Sequence, residues 1–220
     1  TTFGMSERLL GAVVGMHGDD YGLVMPPSIA PIQIVIMPIA QHVNPNVLTS
    51  VYELDEQLRS AGFRVHVDDR DLRPGAKHFD WEIKGVPLRV EIGPRDLESK
   101  SSLVSARTGG KQQIALDGFV DSAQQLLETI SSELRSRAKK VADGLVCAFP
   151  GFIKDENGNS VLKEPIQDGL IYELAFDGSD SDAEALEKST GLTLLGDADM
   201  PFPDPVPCAI TGNPTTVGNI

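Results

Sequence analysis

The run Ile32-Gln-Ile-Val-Ile-Met-Pro-Ile39 limits most sharply what this chain can fold into. It is short, almost wholly apolar and rich in β-branched residues, the pattern of a strand covered on both faces in a layered α/β sheet. The chain that follows agrees. Val47, Val51, Leu54 and Leu58 recur at intervals of 4, 3 and 4, one stripe of a helix that Gly62 ends. Residues 63–67 alternate polar with apolar and predict a second strand. Residues 74–84 predict a short helix, with Pro74 tolerated in its first turn and Gly85 closing it. Residues 88–92 alternate again, residues 93–94 form a Gly-Pro turn, and the stretches 103–106 and 112–116 flank Thr108-Gly-Gly110 as a hairpin. Val120, Ala123, Leu127, Ile130 and Leu134 then mark a long helix. The sum is an α/β fold, a mixed sheet of about five strands flanked by helices.

The two ends read differently. Residues 6–16 predict an apolar helix capped by Ser6, greasy enough to be expected inside a core. Thr1 is neither an initiator Met nor the start of a signal-peptide pattern, so the expectation is a piece of a longer chain. After Leu145 the periodicity weakens. A turn at residues 155–159, a helix at 183–188 and alternating prolines at 201, 203, 205 and 207 predict a small α+β C-terminal domain. Two cysteines, Cys147 and Cys208, are too few for a disulfide framework, which points to a reducing cytoplasmic setting. No apolar stretch has the roughly 18 residues of a membrane span, so no membrane partner is expected.

A net charge of −13 from 32 acids and 19 bases argues against a generally basic nucleic-acid coat. The charge is uneven. From Gly151 onward there are 13 acids, three lysines and no arginine, so ten of the net negative charges lie there. Residues 1–150 are close to neutral, and only they can approach a polyanion, because each phosphate contact needs a cation. Arg and Lys are concentrated between Arg64 and Lys111.

Four places could carry chemistry. On a helix beginning at Pro74, His78 and Glu82 are four apart and share a face. An imidazole beside a carboxylate suits a nucleobase, one stacking and the other accepting from a guanine N1–H/N2–H edge. From the spacing alone, an exposed helix with an ordinary i,i+4 pair and a partly buried Trp81 is the favoured reading. Arg95, after the Gly-Pro turn, is open to a phosphate or base edge, or to pairing with nearby acids. Lys111 stands at the hairpin edge, where a charge also blocks strand pairing. Arg8 opens the N-terminal helix and invites an anion. His17, His42, His66 and His78 lack metal-ligand spacing, and no phosphate-binding glycine loop or Gly-x-Ser-x-Gly elbow is present.

Long strings then carry a resemblance: residues 4–12, 17–27 and 30–38, Asp69-Arg-Asp-Leu-Arg-Pro-Gly-Ala-Lys77, residues 81–98, and Lys111. Over about residues 1–140 they resemble the C-terminal half of prolyl-tRNA synthetases of the archaeal/eukaryotic-like type. The resemblance implies three parts: residues 1–27 as the tail of a class II catalytic domain, 28–140 as a class IIa anticodon-binding domain, and 141–220 as an acidic C-terminal domain. It implies a proline–tRNA ligase whose fragment here supplies anticodon recognition and should not aminoacylate by itself. The alternative is a free-standing, non-catalytic tRNA-binding or accessory protein on the same fold. Arg8 falls on the family's ATP-contacting arginine. His78, Glu82 and Lys111 match anticodon-reading positions, with Arg89 and Arg95 nearby. Implied partners are tRNA-Pro and, through the full-length enzyme, proline, ATP and Mg²⁺, in a cytoplasmic homodimer. The family's four zinc cysteines align with Asp177, Asp182, Cys208 and Thr211, which argues against zinc.

Overall fold

The computed structural model describes residues 4–157, 160–198 and 201–220. They form two compact units, residues 1–138 and 139–220. The first opens with α1 (Arg8–His17), then β1 (Ile34–Pro38), α2 (Asn46–Ser60), β2 (Val65–Val67), α3 (Pro74–Ile83) and β3 (Leu88–Ile92). A short α4 (Pro94–Glu98) leads to the hairpin β4 (Ser101–Ala106) and β5 (Lys111–Ala115), and α5 (Phe119–Leu145) follows.

The sheet order is β2-β1-β3-β4-β5, parallel across the first three strands and antiparallel across the last three. The mixed five-stranded sheet expected from the pattern is therefore the observed one. Its topology fixes where helices go. The path from β1 through α2 to β2 moves one way along the sheet, and the path through α3 to β3 moves back past β1. Two right-handed crossovers in opposite directions put α2 and α3 on opposite faces.

The core agrees. Val47, Val51, Leu54 and Leu58 of α2 and Phe119, Ala123, Leu127, Ile130 and Leu134 of α5 bury one face, against Ile34, Ile36, Leu88, Val90, Ile92 and Val104. On the other face Val35 and Met37 of β1 meet Trp81 of α3 and Val86. Trp81, expected to be partly buried, is only 4% exposed. The run in β1 is buried at every position because α2 and α3 cover it from both sides.

The structure corrects two expectations at the N-terminus. α1 has no buried residue, and Leu9, Leu10, Val14 and Met16 are all about half exposed, because nothing among the described residues covers its apolar stripe. Nor does Ser6 cap it with its side chain. Glu7 holds the cap position with helical dihedrals, and Ser6 contributes its carbonyl to Leu9 N–H at 3.1 Å. The Gly-Pro segment also holds more than a turn. Pro94 starts α4, whose Asp96 side chain accepts the Gly93 N–H at 2.9 Å.

The second unit contains β6 (Val146–Ala148), the hairpin of β7 (Phe152–Lys154) and β8 (Ser160–Leu162), β9 (Ile171–Ala175), α6 (Asp180–Thr190), and the short β10 (Val206–Pro207), β11 (Pro214–Thr215) and β12 (Gly218–Asn219). Its main sheet runs β12-β9-β6, with Leu174, Phe176, Leu186 and Cys208 as its core. Ser179 and Asp182 close a capping box at the start of α6, and Gly191 ends it in the left-handed region. The turn expected at 155–159 lies between β7 and β8, with Gly158 and Asn159 outside the described residues.

Candidate functional site

The side of the sheet that carries α3 is only half covered. Strand residues alternate between faces, so Leu88, Val90 and Ile92 of β3 go to the α2–α5 core, and Arg89 and Glu91 go to the α3 face. Register extends that face across the sheet. Val35 pairs with Arg89, Arg89 with Ser105, and Ser105 with Lys111. One step along, Met37, Glu91, Leu103 and Gln113 form the next row. Strands lie about 4.8 Å apart, so Arg89 and Lys111 stand roughly 10 Å from one another in that row. Lys111 and Gln113 on β5 are exposed. The result is a shelf on β4 and β5, walled on one side by α3.

His78 and Glu82 occupy the wall. Glu82 is 36% exposed, with Arg89 Nη1 at 3.9 Å from its carboxylate. Arg89 Nη1 also donates to the His78 carbonyl at 3.2 Å. Beneath the imidazole lies Glu91, whose Oε1 is 3.1 Å from His78 Nε2. That contact is close but poorly aligned, and the buried Nε2 finds no well-directed hydrogen bond among the described residues. The approach is a close contact and not a linear hydrogen bond. Arg89, with a side chain only 12% exposed, sits under α3.

α3 is anchored from behind. Asp68, 1% exposed at the end of β2, accepts from Trp81 Nε1 at 2.7 Å and from Arg70 Nε and Nη2, each at 2.8 Å. Its carbonyl accepts from the buried Lys77 ammonium at 2.9 Å. The Arg70 hydrogen bonds hold the Asp68 carboxyl well below the usual carboxylate range, against the opposing effect of burial. From the hairpin, Arg107 donates to the carbonyls of Glu82 and Leu23 at 3.2 and 3.0 Å and grips Asp19 with both Nη atoms.

The sequence-predicted residues divide accordingly. His78, Glu82 and Arg89 come together, and Lys111 shares their sheet face. Arg95 is exposed on α4, beyond the C-terminal end of β3. Arg8 is exposed at the start of α1, the helix whose expected burial the structure does not show. The cluster of cations between Arg64 and Lys111 is largely engaged inside the fold. Arg64 donates to the carbonyls of Pro27, Ser28 and Ala30, Lys84 sits 4.3 Å over the Trp81 ring, and Arg70, Lys77, Arg89 and Arg107 are held as described.

Sequence reasoning missed Glu91, Ser105 and Arg107. Ser105 is 2% exposed and its hydroxyl has no partner among the described residues, directly between Arg89 and Lys111. Only the alternation of β3 and β4 signals that Glu91 and Ser105 face the shelf. In the second unit, Thr211 Oγ1 donates to Asp177 at 3.1 Å, Cys208 is in the core, and Asp182 caps α6. These aligned positions are tied up in ordinary hydrogen bonds, and among the described residues no group of three or more potential ligands converges.

What the geometry offers is a polar shelf with a carboxylate, an imidazole and a lysine along one side. Such a set suits a flat, hydrogen-bonding ligand with anionic neighbours, the description of an unstacked nucleotide. No described helix is long and apolar enough to cross a membrane.

Comparison with known proteins points the same way. The family described as "Anticodon binding domain" matches residues 33–126. The chain is 41% identical over 206 residues to a proline–tRNA ligase of Thermococcus kodakarensis, covering 93% of this chain and 41% of that protein. It is 46% identical over 140 residues to one from Methanothermobacter thermautotrophicus, covering 63% of this chain and 29% of that protein. Among solved structures, a Giardia lamblia prolyl-tRNA synthetase in complex with prolyl-adenylate matches with a TM-score of 0.78 and 26% identity, over 96% of this chain and 47% of that one. The chain spans about two fifths of the length of the curated relatives it matches.

Proposed function

We propose, from the match of residues 33–126 to the anticodon-binding domain family and the likeness of most of the chain to proline–tRNA ligases, that the shelf beside α3 reads the anticodon guanines of proline tRNA. The observation that supports the reading is that Glu82 and His78 stand together on α3, beside the sheet face that carries Lys111. Glu82 accepts from the N1–H and N2–H edge of a guanine, an arrangement that rejects a base lacking those donors. His78 offers a ring for stacking, and Lys111 meets a base acceptor or the phosphates. Arg89 supports this set from beneath. Arg95 is available to the backbone of the loop.

The parent ligase, on this reading, activates proline with ATP and Mg²⁺ and transfers it to tRNA-Pro, as a cytoplasmic homodimer. Residues 1–27 are its catalytic-domain tail, with Arg8 as an ATP contact. Residues 28–140 are the anticodon-binding domain and 141–220 the acidic C-terminal domain. Catalysis in such ligases rests on positioning and on stabilising phosphoryl charge, for which an arginine is suited.

Glu82→Ala is expected to weaken binding of proline tRNA by roughly 1–3 kcal/mol, and to cost less with transcripts whose anticodon guanines are replaced. Filter binding of the 220-residue chain to both RNAs measures this. Equal losses for the two would remove the base-reading role.

A further inference from the structure

Arg89 and Glu91 are two residues apart on β3, and each comes close to His78. Arg89 donates to its carbonyl at 3.2 Å, and Glu91 places a carboxylate oxygen 3.1 Å from its ring nitrogen. One strand thus reaches both the backbone and the ring of one wall residue. The Glu91 side chain is only 13% exposed, and the His78 side chain 27%. A carboxylate so far removed from water needs a compensating cation or donor. Glu82, by contrast, keeps more than a third of its side chain in solvent, free to meet a ligand.

We infer that Glu91 is the positioning residue for His78, an assignment that rests on the anticodon-reading role proposed above. The last torsion of a histidine is broad, with little intrinsic preference between ring orientations. A carboxylate near Nε2 removes that freedom before the RNA arrives. One edge of the ring points down to the strand, and its face is left toward the shelf. Stacking then costs less ordering entropy, which is the gain from preorganisation. A ring nitrogen this close to a carboxylate oxygen meets it through its N–H edge and not its lone pair. Among the described residues, Glu91 approaches the ring, Arg89 reaches the His78 carbonyl, and Glu82 stands one turn along the same helix. Glu91 itself touches no base in this scheme. It acts through the imidazole.

A double-mutant cycle on the 220-residue chain, read as affinity for a proline tRNA transcript, tests this. Glu91→Gln is expected to lower affinity about five- to ten-fold in the parent sequence, and less than about two-fold when His78 is already Phe. The unfolding midpoint followed by Trp81 fluorescence should show both variants folded. An unchanged affinity for Glu91→Gln overturns the assignment, as does an equal loss in both backgrounds. The parent protein gives a second readout that needs no variant. Long-range ¹H–¹⁵N spectra are expected to show His78 with a proton on Nε2, and a neutral ring protonated only on Nδ1 overturns the inference. His78→Ala separates the two levels. If it binds the transcript as tightly as the parent, ring stacking by His78 fails and takes this inference with it. A loss there without one in Glu91→Gln removes only the role of Glu91.

Discussion

Asp68→Ala is expected to destabilise the first unit by about 3–5 kcal/mol, the cost of removing one partner from a buried charged network. Asp68 joins the sheet to the helix that forms the wall of the shelf. Its carboxylate takes the Trp81 N–H and both arms of Arg70, and its carbonyl takes the Lys77 ammonium. Arg70 is 44% exposed and can turn to water when the carboxylate is gone. Trp81 and Lys77 cannot, being 4% and 3% exposed. The variant therefore leaves an unsatisfied indole N–H and a buried cation without its counter-charge. Asp68→Asn keeps an oxygen for Trp81 and should cost less. Trp81 is the single tryptophan, so its fluorescence in a urea titration reports on this unit. A change below about 1 kcal/mol for the alanine variant would contradict the anchoring role. The linkage has a definite sign. The folded carboxyl titrates below its ordinary value, so the stabilisation is complete above about pH 4 and fades as the pH falls below it.

Arg107→Ala is expected to cost about 2–4 kcal/mol. The guanidinium side chain is 5% exposed and makes four attachments, two to Asp19 and one each to the carbonyls of Leu23 and Glu82. Its planar fork satisfies all four together, so Arg107→Lys should recover little of the loss. The Arg107 hydrogen bonds lower the Asp19 pKa to about 2, partly opposed by burial. Since the folded value lies below the unfolded one, this pair stabilises fully above about pH 4 and loses its effect on the way down to about pH 2. The gap between parent and variant should narrow over that window. Urea midpoints at pH 7 and pH 2.5 measure it, and a gap independent of pH would show that Asp19 is not the partner that matters.

Much of the first unit was legible because its strands and helices bury regular faces. The 4-3-4 spacing at Val47, Val51, Leu54 and Leu58 names the four residues that α2 buries. The β3 bounds follow directly from the alternation at residues 88–92. The failures have physical causes. The apolar stripe of α1 predicts burial but cannot say against what. α4 is a single turn, too short for a periodic pattern and visible only through Pro94 and Asp96. The second unit is built of strands of two to five residues, which carry little alternation. At the site, the sequence pairs His78 with Glu82 by helical spacing. It gives no hint that Arg107, 25 residues further on, reaches the Glu82 carbonyl. A basic residue looks the same in sequence whether it faces RNA or the protein's own carbonyls.

The alternation of β3 has a consequence for how this stretch tolerates substitution. Residues 88, 90 and 92 lie in the core, and 89 and 91 lie under the wall of the shelf. In a scan of every substitution, abundance of folded protein should dip at the even positions and RNA retention at the odd ones. Two kinds of selection would then be interleaved along five residues, out of phase by one. A deletion of one residue here would exchange them, sending an arginine into the apolar layer and a leucine or valine to the ligand.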